Sequence, residues 1–223
     1  MGGNTAERKK TYKRGKIRDH NLELILGAAR EEFVLKGFKG ASIQAIADRA
    51  GLPKANIHYY FKTKPNLYLA VLEEIIGLWN DHFDEINVED DPAGVLDRFI
   101  RQKVELSYTH PQSSKLFAME IIQGAPHLKN YMRNKMRPWV RKRAEVIEAW
   151  IADGRMKPVD PTHLIFLIWS STQHYADFET QVLTILNRAE YERSMIDEIA
   201  DFLSRTILAG VGLEPPERSA HDL

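Results

Sequence analysis

Between Ser42 and Phe61 the chain reads SIQAIADRAGLPKANIHYYF, two short helical patterns with a break forced between them. Ile43, Ile46, Ala47 and Ala50 fall at i, i+3, i+4 and i+7, one face of a helix. Ser42 precedes them, where a hydroxyl can cap the first turn, and Ala45 stands where a capping-box Glu would otherwise be. Gly51 accepts the left-handed backbone that ends a helix and turns the chain. Leu52 can plug the corner, and Pro53 is tolerated in a first helical turn because its missing N–H would have no partner there. In the second pattern Lys54, Ala55, Asn56, His58 and Tyr59 fall outward, while Ile57, Tyr60 and Phe61 can face inward. The spacing predicts a helix-turn-helix.

A helical hairpin in an ordinary bundle would show the same pattern. Two observations favour nucleic acid. The outward side chains of the second helix suit phosphates and base edges, and none is acidic. Residues 1–64 hold 14 Lys or Arg against 6 Asp or Glu, a net +8 balanced by −8 over the rest of a formally neutral chain. A basic head on an acidic body is the electrostatic footprint of a nucleic-acid-binding domain. The candidate DNA-contacting residues are Ser42, Gln44, Lys54, Ala55, Asn56, His58, Tyr59 and Lys64.

Around this stretch, residues 1–18 lack apolar periodicity and carry seven Lys or Arg, so a disordered basic arm is expected, either solvated or reaching the DNA. From Asp19, a stripe of Leu22, Ile25, Leu26, Ala29 and Phe33 predicts a bracing helix that ends at Gly37. Pro65 opens a long helix through Leu67, Val71, Leu72, Ile75, Ile76 and Trp79. Its first N–H groups, with Lys64 beside them, suit a phosphate. The expected organisation is all-α: a three-helix DNA-binding domain over 19–64, a larger helical ligand-binding and dimerisation domain over 65–212, and a flexible tail over 213–223.

The chain has no cysteine, which excludes disulfides, thiolate chemistry and cysteine metal sites. Its N-terminus is polar and basic, unlike a secretory signal. The longest apolar run, Leu164–Trp169, is far short of the ~20 residues that span a bilayer. A cytoplasmic protein without membrane contact is expected. There is no Gly-rich phosphate loop, nucleophile elbow or HExxH, so no catalytic residue and no cofactor is assigned. A helical enzyme using His174, Asp177 and Glu105, or an interaction protein that binds no DNA, are the rival classes.

In the body, helices are expected over Ala93–His110, Lys115–Gln123, Leu128–Trp150, Thr162–Leu186 and Glu190–Leu208. The last two, rich in apolar residues, suit a symmetric four-helix interface between two copies. A homodimer would place its recognition helices in successive major grooves of a near-palindromic operator. Within LIFLIWSSTQHYADFETQV, Trp169, Gln173 and Ala176 share a face, with Asp177 beside them. An amide and an indole suit a small planar ligand, although core packing and a satisfied polar group more often account for such a pair. His174 and Asp177 share a face too, but a third metal ligand is missing, so no metal site is assigned.

GLPKANIHYYFKTKPNLYLAVL resembles the DNA-reading segment of the TetR family of bacterial repressors, with its Gly-centred turn, Tyr-Phe pair and following Lys. The resemblance covers residues 19–72, and it departs at His58, where many members place a Tyr. It implies a helical DNA-binding head on a helical ligand-binding, dimerising body. LYLAVLEEIIGLW, RQKVELSYTHPQSSKLFAMEIIQGAP and PTHLIFLIWSSTQHYADFETQV further resemble the bodies of members that control pyrimidine utilisation and respond to uracil. That likeness implies a uracil-like effector held by Trp79, Trp169 and Gln173, with Lys103, Tyr175 and Asp177 nearby.

Overall fold

The computed structural model describes residues 4–217. Every regular element among them is helical, as expected: α1 Asn4–Gly40, α2 Ile43–Ala50, α3 Lys54–Phe61, α4 Lys64–Asn80, α5 Pro92–Thr109, α6 Pro111–Ile122, α7 Lys129–Tyr131, α8 Arg137–Ala152, α9 Pro161–Asp177, α10 Glu179–Leu186 and α11 Arg193–Gly210. A short 3₁₀ turn, Asp81–Phe83, follows α4, and a π turn, Met132–Met136, joins α7 to α8. Two compact units divide inside α4, Met1–Glu74 and Ile75–Leu223.

The first unit closes around the stripe of α1. Ile25, Ala29 and Phe33 are buried with Ile46 and Ala47 of α2, Ile57 of α3, and Leu67, Val71 and Leu72 of α4. Tyr68 meets Phe33 edge-on at 4.8 Å and Phe38 at 5.0 Å. Arg49 of α2 reaches Glu31 at 2.8 Å and the buried Glu32 at 3.6 Å, which ties α2 to α1. The expected stop at Gly37 is a kink, with φ 66° and ψ 174°, beyond which helix continues to Gly40. The arm expected to be disordered is helical from Asn4. Ala6, Glu7, Arg8, Lys9 and Lys10 are good helix formers, and extending an established helix needs no new nucleus. The start of that arm, 1–3, and residues 218–223 of the expected tail lie outside the described residues.

In the second unit α5 is the central element, its Val95, Leu96, Phe99, Ile100 and Val104 buried among residues of α8, α9 and α11. Phe83 stacks on Phe99 at 4.2 Å, and Trp150 is fully buried. Asp97, also buried, accepts from Arg101 at 2.8 Å and from Ser204 of α11, so its charge is neutralised where it stands. The apolar pattern over Thr162–Leu186 is two helices rather than one: the backbone leaves the helical region at Phe178, with φ −115° and ψ 30°. Contacts on both sides hold the break, Ser114 to Asp177 at 2.5 Å and Lys115 to Glu179 at 2.6 Å. Leu128–Trp150 is similarly divided by the π turn.

Candidate nucleic-acid interface and effector cleft

The helix-turn-helix forms as its residues dictate. Ser42 Oγ accepts from the Ala45 N–H at 3.0 Å, capping α2. Gly51 takes the left-handed conformation, φ 65° and ψ 27°, and its N–H closes on Ala47 and Asp48. Pro53 stands at the N-cap of α3 rather than inside its first turn. Ile57 anchors α3, while Lys54, Ala55, His58 and Tyr59 are exposed and Asn56 is half-buried. Tyr59 is 78 % exposed and meets the Tyr60 ring edge-on at 5.3 Å. His58 Nδ1 lies 3.2 Å from the Lys62 carbonyl, so this nitrogen carries the proton of that bond and Nε2 is left for another partner. Gln44 bonds Asp48 at 2.8 Å along the exposed side of α2.

Lys64 differs from the other candidates. Its ammonium donates to the Ala41 carbonyl at 2.8 Å and lies 4.7 Å over the Phe38 ring, so it braces the joint between α1 and α2. The start of α4 is capped by Thr63, whose Oγ1 accepts from Asn66 N at 3.3 Å. Between α3 and α4, Lys62 adopts φ 61° and ψ −51° in a turn closed by Thr63 N on Phe61 O at 2.6 Å. This positive φ on a residue with a side chain costs of order 1–3 kcal/mol. Nothing in the spacing marks it.

In the second unit, Trp169, Gln173 and Asp177 recur every four residues along α9 and line one cleft of about 690 Å³ against Phe117, Met119 and Ile122 of α6. Trp169 Nε1 is buried and has no hydrogen-bond partner among the described residues. An unpaired buried donor of this kind costs about 1–3 kcal/mol. Trp139 stacks on Trp169 at 6.1 Å and fixes its plane. Lys103 of α5 is buried behind this wall. Its Nζ reaches Gln173 Oε1 at 3.5 Å and sits 4.6 Å over the Trp79 ring. Burial pushes the Lys103 ammonium down to about 7, against the opposing pull of Asp177. Burial raises the Asp177 carboxyl, against the Ser114 hydrogen bond and the charge of Lys103. Trp79 meets Phe117 edge-on at 5.1 Å.

Five of the six residues assigned to ligand binding therefore form one linked group. The sixth, Tyr175, does not join it. Its side chain lines a different groove with Val182, Leu186 and Phe202, and its carbonyl accepts from Tyr191 at 2.8 Å. Positions 173, 175 and 177 lie two residues apart, but a helix turns 100° per residue and sends the middle one elsewhere. Ala176, expected on the Trp169 face, is buried in the core. His174 stacks on Phe178 at 5.1 Å. Sequence reasoning missed Ser114, Phe117 and Trp139, which carry no polar pattern of their own. Among the described residues no group of three His, Asp or Glu is placed to hold a metal, and no helix is long and apolar enough to cross a membrane.

Residues 25–71 match the model of the bacterial regulatory proteins of the tetR family, and residues 72–214 match that of the YcdC-like protein C-terminal region. This chain belongs to the TetR family: it is a DNA-binding transcriptional regulator and not an enzyme. It is 35 % identical over 203 residues to the HTH-type transcriptional regulator RutR of Escherichia coli K12, covering 91 % of this chain and 96 % of that protein. The HTH-type transcriptional regulator EthR of Mycolicibacterium smegmatis is 26 % identical over 135 residues, 59 % of this chain and 61 % of its own. Two solved structures share the fold. AibR in complex with isovaleryl coenzyme A and operator DNA matches with a TM-score of 0.62 at 18 % identity, covering 88 % and 100 % of the two chains. A TetR-like regulator from Rhodococcus sp. RHA1 matches at 0.58 and 19 % identity, covering 85 % and 94 %.

Proposed function

We propose that this regulator is a homodimeric repressor whose DNA binding is released by uracil or a closely related pyrimidine in the cleft of α6 and α9. The carrying observation is the convergence of Trp169, Gln173 and Asp177 on that cleft, with Lys103 and Trp79 linked behind them. A pyrimidinedione is a flat ring with two N–H donors and two carbonyls. Indole faces suit the ring, the Trp169 N–H and the Gln173 amide suit carbonyls, and Asp177 suits an N–H.

DNA contact is assigned to Lys54, Ala55, Asn56, His58 and Tyr59 of α3, and to Ser42 and Gln44 at the start of α2. Dimerisation through α9, α10 and α11 is supported by apolar side chains left exposed there: Ile185 at 74 %, Phe202 at 58 % and Leu186 at 49 %. Two such heads about 34–36 Å apart read a near-palindromic operator. Ligand weakens DNA binding only to the extent that it prefers the released conformer. Trp79, at the far end of α4, is the residue through which that preference is proposed to act.

Calorimetric titration with uracil and thymine tests the effector. Binding in the micromolar range, lost in Trp169→Ala and Gln173→Ala, is expected. No binding tighter than millimolar removes the pyrimidine and leaves the DNA-binding regulator. The apolar walls Met119, Ile122 and Phe166 favour a second reading in that event, a more extended amphipathic ligand.

A further inference from the structure

Gln173 faces two ways. Its amide carries one acceptor oxygen and one group with two donor hydrogens. Lys103 is 2 % exposed, and among the described residues its ammonium meets Gln173 Oε1 at 3.5 Å and the Trp79 ring at 4.6 Å. An ammonium has three donors and no acceptor, so only the oxygen of the amide can turn toward it. The –NH₂ group of Gln173 is then left for the cleft that Gln173 lines. One turn earlier, the Trp169 N–H is a second donor without a partner. One turn later, Asp177 Oδ1 accepts from the Ser114 hydroxyl, and its other oxygen remains an acceptor. The wall of α9 thus has a polarity set partly from behind, by a buried cation that does not itself line the cleft.

We propose that Lys103 is a positioning residue for effector choice: by holding the oxygen of Gln173, it presents the amide –NH₂ to the cleft, which accepts a ring carbonyl there and rejects an exocyclic amino group. The proposal rests on the reading that the cleft takes a planar pyrimidine, and the experiment separates the two. Lys103 titrates near neutrality, and a neutral amine can face either end of the amide, so the selection weakens as the proton is lost. From α9 the ammonium is faced by Asp177, on which His174 and Lys115 of α6 also act. From α4 it is faced by the uncharged Trp79. On α11, Arg193 pairs with Glu105 and Asp197, and Asp201 pairs with Arg101.

Uracil and cytosine share one ring and differ in a carbonyl against an amino group, so their Kd values are measured by calorimetry on the full chain and on Lys103→Met. The wild-type protein is expected to prefer uracil. In Lys103→Met the ratio of the two Kd values falls at least about tenfold, the scale of one buried hydrogen bond. If the wild-type chain binds neither base, the effector reading fails. If it binds uracil and the variant weakens both bases equally, or keeps the ratio, Lys103 is only structural and the proposal is overturned. Lys103→Gln, neutral and polar, gives the same fall should Lys103→Met not fold. In the unmodified protein the ratio drops between about pH 6 and pH 8.5 as the ammonium is lost, and a flat ratio overturns the proposal without any variant.

Discussion

The ammonium of Lys64 donates to the carbonyl of Ala41 at 2.8 Å while lying 4.7 Å over the Phe38 ring, so the first residue of α4 holds the junction of α1 and α2. With this geometry Lys64 is proposed to contribute to DNA binding by shaping the head. Lys64→Met is expected to lower the unfolding free energy by about 1–2 kcal/mol, the scale of a half-buried charged hydrogen bond. It should leave the slope of log K against log salt for DNA binding unchanged, because no phosphate contact is lost. Urea unfolding and anisotropy titrations at several salt concentrations check the two halves separately.

Lys54 is the opposite case. It is exposed at the start of α3, with its side chain free of intramolecular hydrogen bonds or ion pairs among the described residues. Lys54→Ala should leave stability nearly unchanged, weaken binding about equally on matched and mismatched duplexes, and reduce the salt slope by about 1. A change confined to one base position would instead make Lys54 a base reader.

Gly51 holds the turn at φ 65°, and a Cβ built there meets nothing within 4 Å. The cost of Gly51→Ala is therefore backbone strain alone, about 1–2 kcal/mol. Gly51→Asn should recover part of it, since Asn tolerates the left-handed region better. Thermal unfolding of the two variants checks the order.

Lys103 makes stability depend on pH. Its folded value, about 7, lies below the ordinary lysine value of 10.5, so the folded chain binds fewer protons than the unfolded chain between those limits. Unfolding free energy must then rise with pH across that window, and the burial penalty is fully present below about pH 7. Lys103→Met should remove this part of the slope. Urea midpoints measured from pH 6.5 to about 9.5 on both proteins give the comparison.

The head was legible because local chemistry fixes it. Ser42 caps, Gly51 turns and Ile57 anchors, and each needs only its neighbours along the chain. The body was legible in its helices but less so in its joints. The apolar rhythm continues through Phe178 and Met132–Met136, and contacts from α6, distant in sequence, hold the break at Phe178. Trp169, Gln173 and Asp177 sit one turn apart, so a helical wheel finds them together. A wheel gives direction around one axis and no partner across the interior. It therefore cannot show that Tyr175 faces another groove, that Lys64 turns inward, or that Lys103 lies behind Gln173.

A ligand in the α6–α9 cleft is proposed to release DNA. Duplexes selected by the wild-type chain from a random pool supply the operator, and fluorescence anisotropy then gives its Kd with and without saturating uracil. A rise of at least about tenfold with uracil, absent in Gln173→Ala, is predicted, corresponding to a coupling of about 1.4 kcal/mol. An operator Kd that stays the same while calorimetry shows the cleft filled would mean that the cleft does not control DNA binding.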